Sequence, residues 1–313
     1  MIKYARIIFY SFALNYHLKN VNFGKNAKIM TKIKDKKVLV TGGANGIGKL
    51  LGEKCLREGA SDLVIWDINE KNLEATTKEF AQKGYNVHPY IVDVSDLDDI
   101  TRAATLTLSE VGRIDILFNN AGIVVGKDFH EHSHKEIEKT IRINVLGVMH
   151  VARCFVGEMI KQKSGHIVNI ASAVGLLANP KMSVYAGSKW AVLGWSESLR
   201  LELEDMPGDL HVTTVCPSYI KTGMFEGVEA PILAPLLEPE DITDQIIRAV
   251  KENEIEVKAP WSVHLIPILR GLMPTRLFDL VVGKGLNIYS SMASFIGRPA
   301  QEAVPEKEKS KQK

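Results

Sequence analysis

The chain has 313 residues, of which 45% are hydrophobic and 24% are charged, a composition typical of a soluble globular protein and not of a disordered one. Its formal net charge of +2 gives no reason to expect nucleic acid as a partner. Its three cysteines lie far apart and form neither a metal-spaced pair nor a disulfide framework, which indicates a reducing compartment.

The first 30 residues form an N-terminal extension that carries basic residues and no acidic ones. Its apolar run, Ile7 to Leu14, is shorter than the roughly 20 residues that cross a bilayer. Two interpretations stay open. The extension is an anchor at a membrane interface, or Met30 is the true start, because the segment after it leads directly into the first predicted strand.

Short β-branched runs alternate with helix-length segments from about residue 37 onward. Near-continuous apolar character is typical of strands that are covered on both faces. The predicted strands are Val38–Val40, Leu63–Trp66, Val87–Val92, Ile114–Phe118, His166–Ile170, Val212–Val215 and Glu254–Ala259. Helices are predicted between them, for example over Ile47–Glu58 and Asn69–Lys83. This order predicts an α/β fold, a single-domain Rossmann-type doubly wound parallel sheet of about seven strands with helices on both faces.

No linker rich in Pro, Gly or Ser divides the chain, so one domain is predicted over residues 31–262. The apolar composition of residues 263–297 predicts a helical C-terminal extension that closes the substrate site or touches a bilayer surface. Its prolines and charged residues exclude a simple spanning helix. The polar residues 298–313 predict a disordered tail.

The segment TGGANGIG, residues 41–48, follows the first predicted strand and opens the first helix. Glycines there allow a tight turn and let a pyrophosphate approach the amides of a helix N-terminus more closely than a Cβ would permit. Because the strand and helix are in place, the pattern predicts dinucleotide binding. The residues concerned are Gly42, Asn45, Gly46, Ile47 and Gly48.

Asp67 ends the second predicted strand, about 20 residues after the last of these glycines. Its carboxylate can accept hydrogen bonds from both ribose hydroxyls and would repel a 2′-phosphate. No Lys or Arg occupies residues 43–45 or position 68, so the sequence favours NAD over NADP. In the alternative interpretation, Asp67 only begins the turn of the segment DINE.

The segment YAGSK, residues 185–189, begins a long predicted helix. Tyr185 and Lys189 share one helix face, and the ammonium is expected to lower the pKa of the phenol from about 10 toward working pH. Such a tyrosine can act as a general acid/base while hydride moves to or from a nicotinamide. Ser172 ends a strand and can donate a hydrogen bond to the substrate oxygen. A surface Tyr–Lys pair is the alternative interpretation of YxxxK by itself.

Further motifs occur in order with these: DV at 93–94, NNAG at 119–122, Asn144, and Pro217 with Thr222. Over roughly residues 36–260 the chain thereby resembles the short-chain dehydrogenase/reductase family. The resemblance implies that Tyr185 is the general acid/base and that Lys189 both tunes it and binds the nicotinamide ribose. It also implies that Ser172 orients the substrate carbonyl and that Asn144 supports a water-linked proton relay.

For the cofactor, the resemblance implies contacts along the same edge of the sheet. It assigns Asp93 and Val94 to the adenine, Asn120, Ala121 and Gly122 to the cofactor floor, and Pro217, Ile220 and Thr222 to the nicotinamide end. Ser218 departs from the family pattern, which usually has glycine after the proline. We expect this difference to alter the loop without abolishing catalysis.

The alternating His130, His132 and His134 are expected to cap a solvent-facing helix, because no further ligand cluster supports a metal site. The loop at residues 223–239, GMFEGVEAPILAPLLEP, is interpreted as an apolar lid over a hydrophobic alcohol or ketone. Packing at a subunit interface is the other interpretation. LVIWDIN at 63–69 and LEPEDI at 237–242 are similar to the membrane-associated retinol and 17-beta-hydroxysteroid dehydrogenase branch of the family.

The sequence therefore predicts an NAD-dependent oxidoreductase that interconverts a hydrophobic alcohol of retinoid, steroid or lipid type and its ketone or aldehyde. A 3-oxoacyl-thioester reductase and a non-catalytic lipid-surface-binding member of the fold are alternatives. Asp67 weighs against the first and the intact catalytic set against the second. We expect a homodimer or homotetramer that is cytoplasmic or peripheral at a membrane surface.

Overall fold

The structure is a computed structural model that describes residues 30–297. Seven parallel strands form one sheet in the order β3-β2-β1-β4-β5-β6-β7. The strands are β1 (Lys37–Thr41), β2 (Asp62–Asp67), β3 (Val87–Ile91), β4 (Ile116–Asn119), β5 (Ser164–Ile170), β6 (Asp209–Pro217) and β7 (Glu256–Ala259). The predicted parallel, doubly wound sheet of seven strands is thus confirmed. The predicted N-terminal extension up to residue 29 and the polar tail lie outside the described residues.

Side chains alternate between the two faces of the sheet along each strand, so apolar strands present apolar side chains on both faces. Helices cover both of these faces. On one face, Val38 and Val40 of β1 pack with the first, second and sixth helices. On the other face, Leu39 packs with the third, fourth and fifth. The helices are α1 (Gly46–Arg57), α2 (Glu70–Gln82), α3 (Leu97–Val111), α4 (His134–Lys161), α5 (Ser183–Glu204), α6 (Pro239–Glu252), α7 (Leu265–Leu272) and α8 (Thr275–Phe278).

The long helix α4 begins at the histidine segment. Ser133 caps it, because its side chain accepts a hydrogen bond from the Glu136 amide while the Glu136 carboxylate accepts one from the Ser133 amide. Among residues 30–297, α4 is the one helix long and apolar enough to span a membrane, yet 50% of its most apolar window is buried inside the protein. It is therefore buried like a core helix, and it packs against both the sheet and α3.

The C-terminal extension is apolar and helical, as predicted, and packs against the end of the sheet that carries the candidate site. Ile266 of α7 and Phe278 of α8 join a small apolar cluster with Ala173 and Leu177. The backbone of the extension also pairs with the 223–239 loop through four hydrogen bonds: Glu229 N–H to Ser291 O, Ile232 N–H to Leu286 O, and the N–H groups of Ile296 and Gly297 to Glu226 O. The extension and the loop therefore form one cover.

Candidate active site

The glycine turn between β1 and α1 has a conformation that only glycine adopts easily. Gly42 and Gly46 have φ angles of +63° and +57°. A Cβ on Gly48 would lie 2.2 Å from the Gly42 carbonyl oxygen, so the turn and the helix can pack this closely only without side chains. Asn45 caps α1, because its side chain accepts a hydrogen bond from the Gly46 amide at 2.7 Å. The N-terminus of α1 is thereby held against the turn.

Side chains at the ends of the two strands flanking β1 hold this turn in place. The Asp67 carboxylate, at the end of β2, accepts hydrogen bonds from the Ala44 amide at 3.0 Å and the Asn69 amide at 2.9 Å. The Asn120 amide, after β4, donates to the carbonyls of Thr41 and Gly42 at 2.9 and 3.0 Å. Asp67 therefore does begin the turn after β2, and its carboxylate also fixes the glycine segment.

A crevice of about 330 Å³ runs along the carboxyl ends of the strands, where open α/β sheets bind ligands. Every predicted cofactor residue except Gly48 lines it: Gly42, Asn45, Gly46, Ile47, Asp67, Asp93, Val94, Asn120, Ala121, Gly122, Tyr185, Lys189, Pro217, Ile220 and Thr222. Gly48 packs instead beneath the turn, against Gly42 and Asn120. A cradle of glycines at a helix N-terminus, with a carboxylate at the end of β2, fits a dinucleotide.

The predicted catalytic side chains Ser172, Tyr185 and Lys189 meet at the same crevice. Tyr185 and Lys189 lie in the first two turns of α5 and are 5% and 4% exposed. The Lys189 ammonium donates to the carbonyl of Ile170, at the end of β5, at 2.8 Å and lies 5.7 Å from the centroid of the Tyr185 ring. The structure therefore brings the phenol, the ammonium and the Ser172 hydroxyl together beside the glycine turn.

Burial is the largest cause of the pKa shift of each member of this pair. Burial raises the pKa of the Tyr185 phenol above its ordinary value of 10.0, and the hydrogen-bonding hydroxyl of Ser172 opposes this only in part. Burial also lowers the pKa of Lys189 to about 8. The pKa of Tyr185 is therefore shifted in the opposite direction to the one predicted, because desolvation of the phenol is the largest cause.

Asn144 lies beneath the crevice and not on its surface. It occurs in a π-helical turn of α4, Arg142–Gly147, a local distortion that is frequent at functional sites. Its side-chain amide accepts from the Ile123 amide and donates to the Ile123 carbonyl, both at 2.9 Å, and donates to Ser188 Oγ at 3.1 Å. Asn144 thus fixes the loop after β4 to the helix that carries Tyr185. Its place in a proton relay stays a prediction.

A second, apolar cavity of about 90 Å³ adjoins the crevice. Ser172, Ser218 and Phe225 line both spaces, so a molecule in the cavity reaches the catalytic side chains. The 223–239 loop contributes Phe225 and Leu233, and the C-terminal extension contributes Ile266, Leu269, Val282, Leu286 and Ile288. Sequence reasoning missed these extension residues individually, as well as Asn179 and Tyr219. The apolar composition of 263–297 was the one available signal.

This fold and this site define an oxidoreductase that uses a nicotinamide dinucleotide. A family model described as short chain dehydrogenase matches residues 36–232, and the chain belongs to that family. Among curated relatives, it is 33% identical over 97% of both chains to "Short-chain dehydrogenase/reductase family 16C member 6" of Bos taurus. It is 35% identical to "Epidermal retinol dehydrogenase 2" of Homo sapiens, over 83% of this chain and 84% of the relative. It is 33% identical to "Estradiol 17-beta-dehydrogenase 11" of Rattus norvegicus, over 78% and 82%.

Solved structures agree with this assignment. A short chain dehydrogenase/reductase from Burkholderia phymatum in complex with NAD superposes with a TM-score of 0.69 at 26% identity, over 82% of this chain and 98% of that one. A metagenomic short-chain oxidoreductase in complex with NADP gives a TM-score of 0.62 at 28% identity, over 73% and 98%. The protein is therefore an oxidoreductase of CH–OH groups in small-molecule substrates, with a nicotinamide cofactor.

Proposed function

We propose that the protein interconverts a hydrophobic alcohol of retinoid, steroid or lipid type and its ketone or aldehyde, with NAD as cofactor. One observation carries this proposal: the apolar cavity opens onto the dinucleotide crevice at Ser172, next to the Tyr185 phenol. An apolar molecule in the cavity would present its oxygen to these hydroxyls. The names of the relatives, retinol and estradiol dehydrogenases, support the same substrate class.

In this mechanism the bound nicotinamide supplies or accepts the hydride. Tyr185 exchanges a proton with the substrate oxygen, and the Ser172 hydroxyl donates a hydrogen bond to that oxygen. Because burial raises the pKa of Tyr185, the protein by itself holds the phenol in its protonated form, which is the form needed to protonate a carbonyl oxygen. Lys189, fixed by the Ile170 carbonyl, orients the phenol and would contact the ribose of a bound nicotinamide.

The mechanism also assigns roles to the residues around this centre. Asn144 holds the loop after β4, which carries Gly122, and would support a water-linked proton relay as the sequence resemblance implies. The remaining crevice residues would bind the dinucleotide as the sequence predicts. They include the glycine turn, Asp67, Asp93, Val94 and, at the nicotinamide end, Thr222.

The choice of NAD over NADP rests on Asp67. Its carboxylate lines the crevice, and of the described residues that line the crevice, only Lys189 is basic. The Lys189 ammonium donates a hydrogen bond to the Ile170 carbonyl of β5. Because β5 is three strands away from β2, Lys189 cannot neutralise a phosphate beside Asp67. A 2′-phosphate at this position would meet an uncompensated negative charge.

Replacement of Asp67 by asparagine is expected to weaken this discrimination. The ratio of kcat/KM with NADP to that with NAD should rise about tenfold or more, because a like-charge repulsion is removed. Asp96→Asn is the matched control, since Asp96 caps α3 outside the crevice and its substitution should leave the ratio unchanged. An unchanged ratio in Asp67→Asn would show that another feature selects the cofactor.

The proposed substrate class is tested by following NADH absorbance with a panel of retinols, hydroxysteroids, fatty alcohols, polar sugars and a 3-oxoacyl thioester. We expect turnover with the hydrophobic alcohols and with their ketones in the reverse direction. The sugars are expected to be inert because they cannot desolvate into an apolar cavity. A preference for the sugars or for the thioester would reject the proposal.

We also propose that the C-terminal extension contacts a membrane surface. Leu272, at the end of α7, and Leu280, in the π-helical turn Asp279–Lys284 that follows α8, are 78% and 61% exposed. The exposed Arg276 between them suits an anionic interface. The double variant Leu272→Asp and Leu280→Asp should lose flotation with anionic liposomes. Leu97→Asp, at an exposed leucine of α3, should retain it. Equal flotation of both variants would argue against this contact, and the cytoplasmic location stays a prediction.

A homodimer or homotetramer built on α5 is part of the same proposal. Trp190 and Leu201 of α5 are 41% and 54% exposed, a pattern suited to burial by a second copy of the chain. Light scattering of the purified protein measures the oligomer size, and a monomer at micromolar concentration would reject it.

A further inference from the structure

Three buried polar side chains lie together at the wall of the apolar cavity. Asn179 precedes α5, Tyr219 follows β6, and Ser291 belongs to the C-terminal extension, and all three are at most 6% exposed. The Asn179 amide donates to Tyr219 Oη at 2.9 Å and to Ser291 Oγ at 3.1 Å, and these two hydroxyls are 2.8 Å apart. Three distant segments of the chain thus meet at Asn179.

One end of the Asn179 amide has no partner. Its Oδ1 is buried and makes no hydrogen bond to any of residues 30–297. Buried polar groups are almost always paired, because an unpaired one loses its hydrogen bonds to water without compensation. Asn179 lines the cavity, whose other walls are mainly aliphatic, so a molecule in the cavity can supply the missing partner. A hydroxyl suits either orientation of the amide, since it both donates and accepts.

Asn179 and Tyr185 line different spaces, and the ring of Phe225 lines both of them. Phe225 packs edge-on against both Tyr185 and Tyr219, with centroid distances of 6.3 and 5.1 Å. Tyr185 lines the crevice and not the cavity, whereas Asn179 and Tyr219 line the cavity and not the crevice. We therefore assign a group bound at Asn179 in the cavity to a second polar group of the substrate, distinct from the oxygen that exchanges a proton with Tyr185 in the crevice.

We propose that Asn179 is a specificity-determining residue that hydrogen-bonds a second hydroxyl of an apolar substrate, remote from the carbon that exchanges hydride. This inference rests on the proposed function and narrows its substrate class to apolar diols and hydroxyketones. A mono-alcohol of the same shape would leave the amide unpaired in the occupied cavity. Sites that hydrogen-bond a substrate hydroxyl reject the analogue that lacks it for this reason.

The test compares substrates that differ only in the second hydroxyl. Estradiol is paired with its 3-deoxy analogue, and a linear α,ω-diol is paired with the 1-alkanol of equal chain length. For the wild type, we expect kcat/KM to be about tenfold or more higher for the dihydroxy member of at least one pair. Asn179→Leu, which has similar volume and no polar atom, should bring this ratio close to one.

Ser291→Ala is the matched control, because it removes one partner of the cluster and leaves the Asn179 amide in place. It should retain the preference for the dihydroxy substrate. Since only a ratio is compared, a general loss of activity in a variant does not imitate the effect. If thermal unfolding with NADH shows that Asn179→Leu does not fold, Asn179→Ala replaces it.

The outcomes separate this inference from the proposed function. Turnover of hydrophobic alcohols without a preference for the dihydroxy member overturns the role of Asn179 alone. A preference that persists in Asn179→Leu overturns it as well. Absence of turnover with every member of both pairs and with the retinols and fatty alcohols rejects the proposed function, and the role of Asn179 with it.

Discussion

Tyr185→Phe should reduce kcat by about 10²–10⁴-fold in both reaction directions, because the variant lacks the hydroxyl that exchanges the proton. The ring itself stays, so its edge contact with Phe225 and the surrounding packing are retained. NADH binding, followed by fluorescence, should stay close to that of the wild type. Loss of turnover with cofactor binding retained would indicate a defect in the chemical step.

Tyr90→Phe is the matched control for this substitution. Tyr90 lies on the edge strand β3, and its hydroxyl donates to Glu110 outside the crevice. Its loss should leave kcat unchanged. If Tyr185→Phe retained activity within about tenfold of the wild type, another group would have to be the acid/base.

Lys189→Met should lower kcat/KM by about 10²-fold or more, since the ammonium is lost from the side of the phenol while the length of the side chain is kept. The variant also leaves the Ile170 carbonyl without its 2.8 Å hydrogen bond. Lys161→Met, on an exposed lysine at the end of α4, is the control and should be fully active. Normal activity in Lys189→Met would remove the lysine from the mechanism.

The same variant tests the pKa of Lys189 through the pH dependence of stability. Burial lowers this pKa from 10.5 to about 8, so below pH 8 the lysine is charged in both folded and unfolded states and the desolvation penalty is fully present. Between about pH 8 and 10.5 the folded state releases the proton while the unfolded state keeps it. The free energy of unfolding of the cofactor-free protein should therefore rise with pH in this window.

Denaturant unfolding of wild type and Lys189→Met measures this effect. The difference in the free energy of unfolding, wild type minus variant, should increase between pH 8 and 10, because only the wild type contains the titrating group. Taking the difference cancels the buried tyrosines and cysteines that are common to both proteins. A difference independent of pH would mean that the folded protein does not lower the pKa of Lys189.

Much of the fold could be predicted because its signals are local. The seven strands coincide with β-branched apolar runs, and the turn between β1 and α1 requires glycines at fixed spacing. Ser172, Tyr185 and Lys189 meet because the first follows β5 and the others open α5. The end of a strand and the start of a helix are both readable from the sequence.

The substrate cavity could not be predicted residue by residue, because its walls come from segments far apart in the chain. Leu286 and Phe225 are ordinary apolar residues, and only their tertiary packing brings them to the same cavity. Asn179 likewise gives no signal in sequence, since its partners Tyr219 and Ser291 are 40 and 112 residues away. Burial also explains the wrong direction predicted for the pKa of Tyr185, because helical spacing gives no measure of desolvation.

The central claim is that hydride passes between nicotinamide and an apolar substrate where the crevice and the cavity meet. NADH carrying deuterium at the transferred C4 position, incubated with the ketone of a hydrophobic alcohol, tests it most directly by mass spectrometry. The predicted result is one deuterium on the carbinol carbon of the product, and no such product with Tyr185→Phe over the same interval. A carbinol without the label, or equal labelling by the variant, would contradict the account.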